Sequence, residues 1–240
     1  MKVAAYQAPL TPAGSMAALE LVRRQVQACE SEGIEVLCCP EAVLGGLADY
    51  ATAVKGYALR VDNGELQATL APLASEFVTT IVGFTEVTLS GRLHNSAAVI
   101  YRGSVLGIYR KHYPAIRRSV YWPSKDLPVF QVGRFDFGIV ICNDANHVEL
   151  AADLAARGAT AVFVPTNNLL PPAKADVVND ARRVDITIAR THGLHVIRAD
   201  VAGQNGAMVS YGSSAIIRRD GVVLQSARRL SEDLLVAYIA

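Results

Sequence analysis

The stretch Phe137-Gly138-Ile139-Val140-Ile141-Cys142-Asn143-Asp144 is the most informative part of this chain for its fold. Its first five residues are apolar, as in a strand that is buried on both faces, and polar residues follow at once. We predict that a helix then covers roughly residues 146–157. The stretch therefore predicts a nucleophile elbow, in which a buried strand carries a thiol to the edge of a sheet directly before a helix.

Two interpretations of Cys142 follow from this setting. A helix that begins just beyond the sulfur directs its dipole and free N–H groups at it, which favours thiolate over thiol and so a nucleophile. Alternatively, the residue is a small hydrophobic side chain packed at the end of a strand, as most free cysteines are. The local sequence leaves both open, and the rest of the chain has to decide between them.

Composition predicts one globular domain over residues 1–240 and excludes several classes of function. Of the 240 residues, 51% are hydrophobic and 19% are charged, and the net charge is +1. With basic residues scattered in pairs we expect no nucleic-acid binding, and without a run of about 18 apolar residues we expect no membrane span. The four cysteines lack metal-ligand spacing, so we expect no metal site and a reduced, cytoplasmic location. The adjacent Cys38 and Cys39 should point to opposite faces of a strand.

The rest of the chain alternates β-rich runs with helical patterns, which indicates an α/β layered domain. Helices are predicted over residues 16–29, 66–77 and 175–191. Strands are predicted over residues 34–38, 80–84, 161–164, 195–199, 208–217, 222–225 and 234–239, with a hairpin of 95–101 and 104–109 turning at Arg102-Gly103. Two sheets, each covered by helices on one face, would accommodate this order.

Two further strand ends carry groups that a nucleophilic thiol needs. Glu41 follows the apolar run Leu37-Cys38-Cys39-Pro40, and Lys111 follows a strand that ends near Arg110. A carboxylate can take the thiol proton, and an ammonium can stabilise negative charge on the substrate. Either residue alone is compatible with an exposed position at a turn. Because ligands collect outside the carboxyl ends of strands in layered α/β folds, we expect Glu41, Lys111 and Cys142 to converge.

At this point several motifs resemble the nitrilase, or carbon–nitrogen hydrolase, superfamily, and in particular its amidase and carbamoylase branch. They occur in the order in which that family has them, and together they cover nearly the whole chain. The motifs are Pro40-Glu41, Tyr109-Arg110-Lys111-His112, Tyr121-Trp122-Pro123, Ile141-Cys142-Asn143-Asp144 with Glu149, Val196-Ile197-Arg198-Ala199-Asp200 and Tyr211-Gly212-Ser213-Ser214.

The resemblance implies a four-layer α-β-β-α sandwich that assembles into a homodimer or a larger homo-oligomer. It also implies hydrolysis of non-peptide C–N bonds in a small-molecule amide or N-carbamoyl substrate, without a metal or organic cofactor. In that mechanism Cys142 would form a thioester with the substrate, and Glu41 would act as general base and acid. Lys111 and the backbone N–H of Asn143 would hold the oxyanion.

Three further residues are candidates on weaker grounds. Glu149 matches a family acid that would support the site from behind, although a helix-surface glutamate fits the position equally well. Asn167 and Asn168 follow the strand 161–164, where the family lines its substrate site, and their amides suit a polar substrate. Because Asn and Pro also cluster in turns, one of the two asparagines could serve the turn.

One departure from the family bears on activity. Many members have a second glutamate after the lysine, whereas residues 114–121 here contain Arg117 and Arg118 and no acid. In one hypothesis Arg117 or Arg118 faces the site and binds a substrate carboxylate. In the other the arginines are exposed, the loop is rearranged and activity is altered or lost. Acyl transfer to an acceptor other than water, and binding without catalysis, therefore remain alternatives to hydrolysis.

Overall fold

The computed structural model describes residues 1–51 and 56–240, and β-strands make up most of its core. The strands are β1 (Lys2–Pro9), β2 (Val36–Cys38), β3 (Thr79–Val87), β4 (Leu93–Tyr101), β5 (Ser104–Arg110), β6 (Val129–Val132), β7 (Phe135–Ile139), β8 (Ala161–Pro165), β9 (His195–Ala199), β10 (Val201–Asn205), β11 (Met208–Tyr211), β12 (Ala215–Ile217), β13 (Val223–Ser226) and β14 (Asp233–Tyr238). The α-helices are α1 (Ala18–Ser31), α2 (Glu65–Leu70), α3 (Val148–Ala156) and α4 (Val177–His192).

The strands form two sheets. The first has the order β11-β10-β1-β2-β3-β4-β5, with β14 also paired to β1, and the second has the order β13-β12-β9-β8-β7-β6. In the second sheet β7, β8 and β9 are parallel. Parallel neighbours need crossover connections, and α3 and α4 supply them. The carboxyl ends of these three strands therefore meet at one edge of the sheet.

Alternating side chains of each strand divide the core into layers. In β1, Val3 and Ala5 join the cluster between the two sheets, whereas Ala4 and Tyr6 join the cluster beneath α1 and α2. On the second sheet, buried residues of α3 and α4 pack on the outer face. The predicted four-layer α-β-β-α sandwich is thus confirmed. Cys38 and Cys39 belong to different clusters, which confirms that they point to opposite faces.

Several predicted elements are confirmed and others were wrong at their ends. The hairpin of β4 and β5 turns at Arg102 and Gly103, which both have positive φ, as a two-residue turn requires. Helix α2 is shorter than predicted because Pro72 interrupts it, and Ala71–Leu73 form a 3-10 turn. The predicted strand 208–217 is two strands, β11 and β12, which lie in different sheets. The chain crosses between the sheets just after Gly212, whose φ is +79°. Strand β10 was not predicted.

The helix predicted over residues 146–157 begins two residues later than expected and is preceded by a 3-10 turn. Cys142–Asn146 form a 3-10 turn, and α3 starts only at Val148. Gly138 allows α3 to approach β7 closely, since a Cβ atom there would lie 2.4 Å from the side chain of Leu154. Among the described residues, no helix is long and apolar enough to cross a membrane.

Candidate active site

A cavity of about 490 Å³ opens at the edge where β2, β5 and β7 end. Its volume suits a small molecule. The polar side chains that line it are those of Glu41, Asp49, Asn95, Lys111, Ser119, Cys142, Asn143, Asn146, Asn167, Asn168, Lys174, Asp180 and Arg198. Glu41, Lys111 and Cys142, which the sequence placed at three strand exits, thus share one cavity. Within the described ranges, no group of three or more His, Cys, Asp and Glu side chains is arranged to hold a metal ion.

Glu41 is held at the base of the cavity by buried contacts. Its side chain is 2% exposed, and its Oε1 atom accepts hydrogen bonds from Lys111 Nζ at 2.5 Å and from Asn95 Nδ2 at 2.8 Å. The loop bends sharply after it, because Ala42 has a φ of +45°. Gly83 of β3 permits this bend, since a Cβ atom there would lie 2.4 Å from the Pro40 carbonyl oxygen and from the Ala42 nitrogen. The orientation of Glu41 therefore depends on its neighbouring strand.

Lys111 follows β5 directly and carries a buried positive charge. Burial by itself lowers the pKa of its ammonium, but the Glu41 carboxylate opposes this, and the net pKa is raised. Its backbone is fixed as well, since its N–H donates to the Asn95 carbonyl at 2.9 Å. Lys111 thus carries its positive charge beside Glu41 and within the same cavity as Cys142.

Cys142 stands at a strained turn. Its φ of +48° lies in the left-handed region, which is rare for a residue with a side chain and is often kept at functional sites. The carboxylate of Asp144 holds this turn in place. It accepts hydrogen bonds from the Ile141 N–H at 3.0 Å, the Tyr109 hydroxyl at 2.7 Å and the Tyr113 N–H at 2.7 Å. The predicted elbow is therefore present, with Asp144 as its anchor.

The expected environment that favours the Cys142 thiolate is opposed by burial and by a neighbouring carboxylate. Burial and the Glu41 carboxylate raise the pKa of its thiol to about 12, although Lys111 and Arg198 act in the opposite direction. The helix dipole contributes little, because α3 starts six residues beyond the sulfur and the effect fades within one turn. A reaction at neutral pH thus requires a base that removes the thiol proton.

The two asparagines predicted to bind substrate are both buried and line the cavity. Asn167 Nδ2 donates to the Glu41 carbonyl at 3.5 Å, and its Oδ1 has no partner among the described residues. Asn168 Oδ1 lies 3.7 Å from the Cys142 sulfur. The structure thus brings Asn167 into contact with Glu41 and Asn168 into contact with Cys142.

Glu149 does not reach the site. Its side chain is 57% exposed in the first turn of α3, where it accepts a hydrogen bond from the Tyr113 hydroxyl at 3.2 Å and lies 3.4 Å from the His147 ring. The supporting acid is Asp144 instead. Asp144 faces inward from the 3-10 turn, whereas the later start of α3 turns Glu149 to the surface.

Arg117 does not line the cavity either. Both Arg117 and Arg118 are exposed, which favours the second hypothesis for this loop and leaves no place for Arg117 as a substrate-binding residue. The loop is held by Asp49, which accepts hydrogen bonds from Ser119 Oγ at 3.1 Å and from the Val120 N–H at 2.9 Å. Asp49 also lines the cavity, so a carboxylate enters it from another segment of the chain.

Arg198 is a further cavity residue that sequence reasoning missed. It is buried in β9 and forms two hydrogen bonds with Asp185, at 2.7 and 2.5 Å, and one with Thr166 Oγ1 at 2.7 Å. Burial lowers the pKa of its guanidinium, but the Asp185 carboxylate opposes this. The net pKa is raised, so the positive charge is retained. An arginine within the apolar run of β9 was the available signal, since a buried charge needs a partner.

The comparison with protein families identifies the chain. The family model for carbon-nitrogen hydrolases matches residues 2–240. The chain belongs to the carbon–nitrogen hydrolase family. It is accordingly a carbon–nitrogen hydrolase by enzyme class, as the resemblance of its motifs predicted.

Individual relatives are more distant. A protein of Pseudomonas protegens described as a hydrolase in the pqqF 5' region is 28% identical over 247 aligned residues, covering 100% of this chain and 82% of the relative. The amidase of Nesterenkonia sp. AN1, in a mutant with acrylamide added to its active-site cysteine, has a TM-score of 0.81 at 20% identity, covering 100% of this chain and 93% of the amidase. The glutamine-dependent NAD+ synthetase of Acinetobacter baumannii has a TM-score of 0.84 at 21% identity, and the match covers 98% of this chain but only 44% of the synthetase. These structural likenesses support the fold.

Proposed function

We propose that this carbon–nitrogen hydrolase cleaves a small amide or N-carbamoyl compound through a thioester on Cys142. The observation that carries the proposal is the buried Glu41–Lys111 ion pair, which lies in the same cavity as the strained Cys142. A base, a fixed cation and a nucleophile are the three groups that acyl transfer requires. The chain would supply all three without any further group.

The first half of the reaction forms the acyl-enzyme. Glu41 takes the proton of the Cys142 thiol, and the sulfur bonds to the substrate carbonyl carbon. Lys111 and the Asn143 N–H stabilise the negative oxygen, since N–H groups in the first turn of a helix lack intrahelical acceptors. The C–N bond then breaks, and the proton held by Glu41 passes to the leaving amine.

The second half regenerates the enzyme. Glu41 takes a proton from water, whose oxygen attacks the thioester carbon. When the C–S bond breaks, the proton returns to the sulfur and the acid leaves. The raised pKa of Cys142 supports this role of Glu41, because a thiol that rests protonated needs a base in every turnover.

The lining of the cavity narrows the substrate to a small molecule. Amide and charged side chains line the cavity together with apolar residues such as Leu47, Leu169 and Leu170, so a small molecule with both polar and apolar parts would fit. Because Arg117 is exposed and does not line the cavity, it gives no reason to expect a carboxylate on the substrate. Asp49 supplies a carboxylate in the cavity although residues 114–121 contain none, which weighs against a non-catalytic member of the family.

The test is incubation with a panel of amides, N-carbamoyl compounds and nitriles, followed by intact mass of the protein and analysis of products. We expect hydrolysis of at least one amide or N-carbamoyl compound, an acyl adduct on Cys142 of the wild-type chain, and loss of turnover in Glu41→Gln. Added amines would reveal acyl transfer as a new product.

The matched controls are two cysteine variants. Cys142→Ala should abolish both adduct and turnover, whereas Cys29→Ala, which changes a buried cysteine of α1 remote from the cavity, should retain both. Absence of adduct and turnover across a broad panel would overturn the proposal.

A further inference from the structure

Asp200 is a buried carboxylate that receives an unusual number of hydrogen bonds. It lies just after β9, is fully buried, and has no contact with the Glu41–Lys111 pair. Five donors point at its two oxygen atoms: the N–H groups of Asn168, Val201 and Ser213, the Asn168 Nδ2 amide and the Ser213 hydroxyl, at distances of 2.6 to 3.2 Å. Four of the five partners are N–H groups, which can only donate, so these hydrogen bonds favour a carboxylate and oppose the burial that raises the pKa of Asp200.

This carboxylate fixes the orientation of the Asn168 amide. A side-chain amide has one donating and one accepting end, and Asp200 can only accept. The NH₂ end of Asn168 therefore faces Asp200 at 3.2 Å and Ser213 Oγ at 3.2 Å. Its carbonyl oxygen must face the opposite way, where Cys142 Sγ lies at 3.7 Å.

We propose that Asp200 is a positioning residue, which holds Asn168 with its carbonyl oxygen towards Cys142 so that this oxygen accepts the resting thiol proton and, in the substrate complex, an N–H of the substrate. The second part rests on the proposed function. A substrate N–H that reaches Asn168 Oδ1 releases the thiol proton for transfer to Glu41. Binding of the correct substrate and activation of the nucleophile are thereby linked.

The arrangement implies a preference for amides over esters. A primary amide offers an N–H to Asn168, whereas an ester offers only an alkoxy oxygen, which would face another acceptor. A buried acceptor left without a donor typically costs about 1–3 kcal/mol, which corresponds to a discrimination of roughly 5- to 150-fold. The chain would therefore favour amides through a residue that takes no part in bond making.

The decisive variant is Asp200→Asn. An amide at position 200 cannot accept from all five donors, and its own NH₂ would find an acceptor if the Asn168 amide turned over. Asn168 would then present its NH₂ to the sulfur and stabilise the thiolate. We expect two opposite effects, which a merely structural role would not produce together: faster labelling of Cys142 at a given pH, and a lower kcat/KM for amides.

Labelling is measured with methyl methanethiosulfonate, a small neutral reagent, as a function of pH. It reports on Cys142, because Cys29, Cys38 and Cys39 are buried. The charged groups that face the sulfur are Glu41, Lys111 and Arg198, and Asp200→Asn leaves all three in place. We expect labelling at pH 8 to rise by about tenfold, the effect of one unit of thiol pKa.

Turnover is measured with a primary amide and the methyl ester of the same acyl group. The ratio of their kcat/KM values should fall by about tenfold in Asp200→Asn, chiefly through the amide. Asn168→Ala, which removes the oxygen itself, should lower the same ratio even if Asp200→Asn does not fold. The matched control is Ser75→Ala, since Ser75 is a buried serine that donates to Glu30 and has no hydrogen bond with Asp200 or with its donors. It should leave both labelling and the ratio unchanged.

Each outcome decides the matter. Faster labelling together with a lower ratio supports the proposal. Unchanged labelling in folded Asp200→Asn, or an unchanged ratio in Asn168→Ala, overturns it. If the wild type hydrolyses neither an amide nor an N-carbamoyl compound, the proposed function fails, but labelling of Asp200→Asn still tests the orientation of Asn168.

Discussion

At the scale of single residues, the candidate site depends on which carboxylates face inward. Asp144 is fully buried and holds the Cys142 turn through three hydrogen bonds, whereas Glu149, five residues later, lies at the surface. Both acids fall in the same sequence motif. Burial separates a residue that shapes the nucleophile from one that does not touch it.

Exchange of these two acids for their amides should therefore have unequal effects. In Asp144→Asn the new NH₂ group faces the donor of either Tyr113 or Ile141, and an unsatisfied buried donor costs about 1–3 kcal/mol. We expect a corresponding loss of unfolding free energy in urea and a fall in kcat of at least about tenfold. Glu149→Gln should leave the unfolding free energy unchanged and should change kcat by no more than about twofold. Equal losses of kcat in Asp144→Asn and Glu149→Gln would contradict the assignment of Asp144.

The raised pKa of Cys142 predicts how its reactivity depends on pH. Well below its pKa of about 12 the residue is almost entirely thiol, so the thiolate share and the labelling rate should rise about tenfold per pH unit from pH 7 to 10. Because the Glu41 carboxylate raises this pKa, Glu41→Gln should label faster at each pH while amide turnover is lost. Cys142→Ala supplies the blank, and a labelling rate that is flat over this range would show that the thiol is already ionised.

At the scale of secondary-structure elements, the site depends on the close approach of neighbouring segments. The loop that carries Glu41 lies directly against β3 because Gly83 has no side chain. A second glycine, Gly107 of β5, is similarly crowded, but its neighbour is the ring of Phe130 and not a backbone. The two glycines have the same kind of packing role, and only one of them adjoins the site.

Alanine at these two positions should separate stability from activity. Overpacking typically costs about 1–3 kcal/mol, and we expect both Gly83→Ala and Gly107→Ala to lose unfolding free energy in this range. Gly83→Ala should also lower kcat at least tenfold, since the backbone beside Glu41 has to move and displacements of about 1 Å can cost 10²-fold. Gly107→Ala should keep kcat within about threefold. Steady-state kinetics at a temperature where both variants are folded provide the measurement.

The sequence predicted these elements better than it predicted their contacts. Strand exits place Glu41, Lys111 and Cys142 correctly, because hydrophobic runs reveal where a strand ends. The partners of these residues come from distant segments, as when Asn95 reaches Glu41 or Asp200 reaches Asn168. No local pattern encodes such pairs. The direction in which the pKa of the Cys142 thiol shifts was likewise beyond the sequence, because it depends on burial that only the folded chain defines.

At the scale of the whole molecule, the pKa values of all four thiols are raised. Burial raises the pKa of Cys29 to about 12, and burial also raises the pKa values of Cys38, Cys39 and Cys142. Unfolding returns each thiol to water, where it ionises near pH 8.5. The folded state thus binds more protons than the unfolded state in alkaline solution.

Stability should consequently fall as pH rises above about 9. Below the unfolded pKa the thiols are protonated in both states and make no difference; above it, each buried thiol lowers the unfolding free energy by up to about 1.4 kcal/mol per pH unit until its folded pKa is reached. Urea titrations at pH 8, 9 and 10 with a reductant present would measure this slope. In Cys29→Ala the unfolding free energy should fall less steeply with pH, because one buried thiol no longer contributes to the slope. A slope of zero in the wild type would contradict these pKa shifts.

The crossing from β11 to β12 links the spacing of the two sheets to the hydrogen bonds around Asp200. Ser213 lies in the short segment between a strand of the first sheet and a strand of the second, and it donates twice to Asp200. A motion that separates the two sheets would strain this segment and its hydrogen bonds to Asp200. The sandwich spacing and the direction in which Asn168 points are therefore coupled.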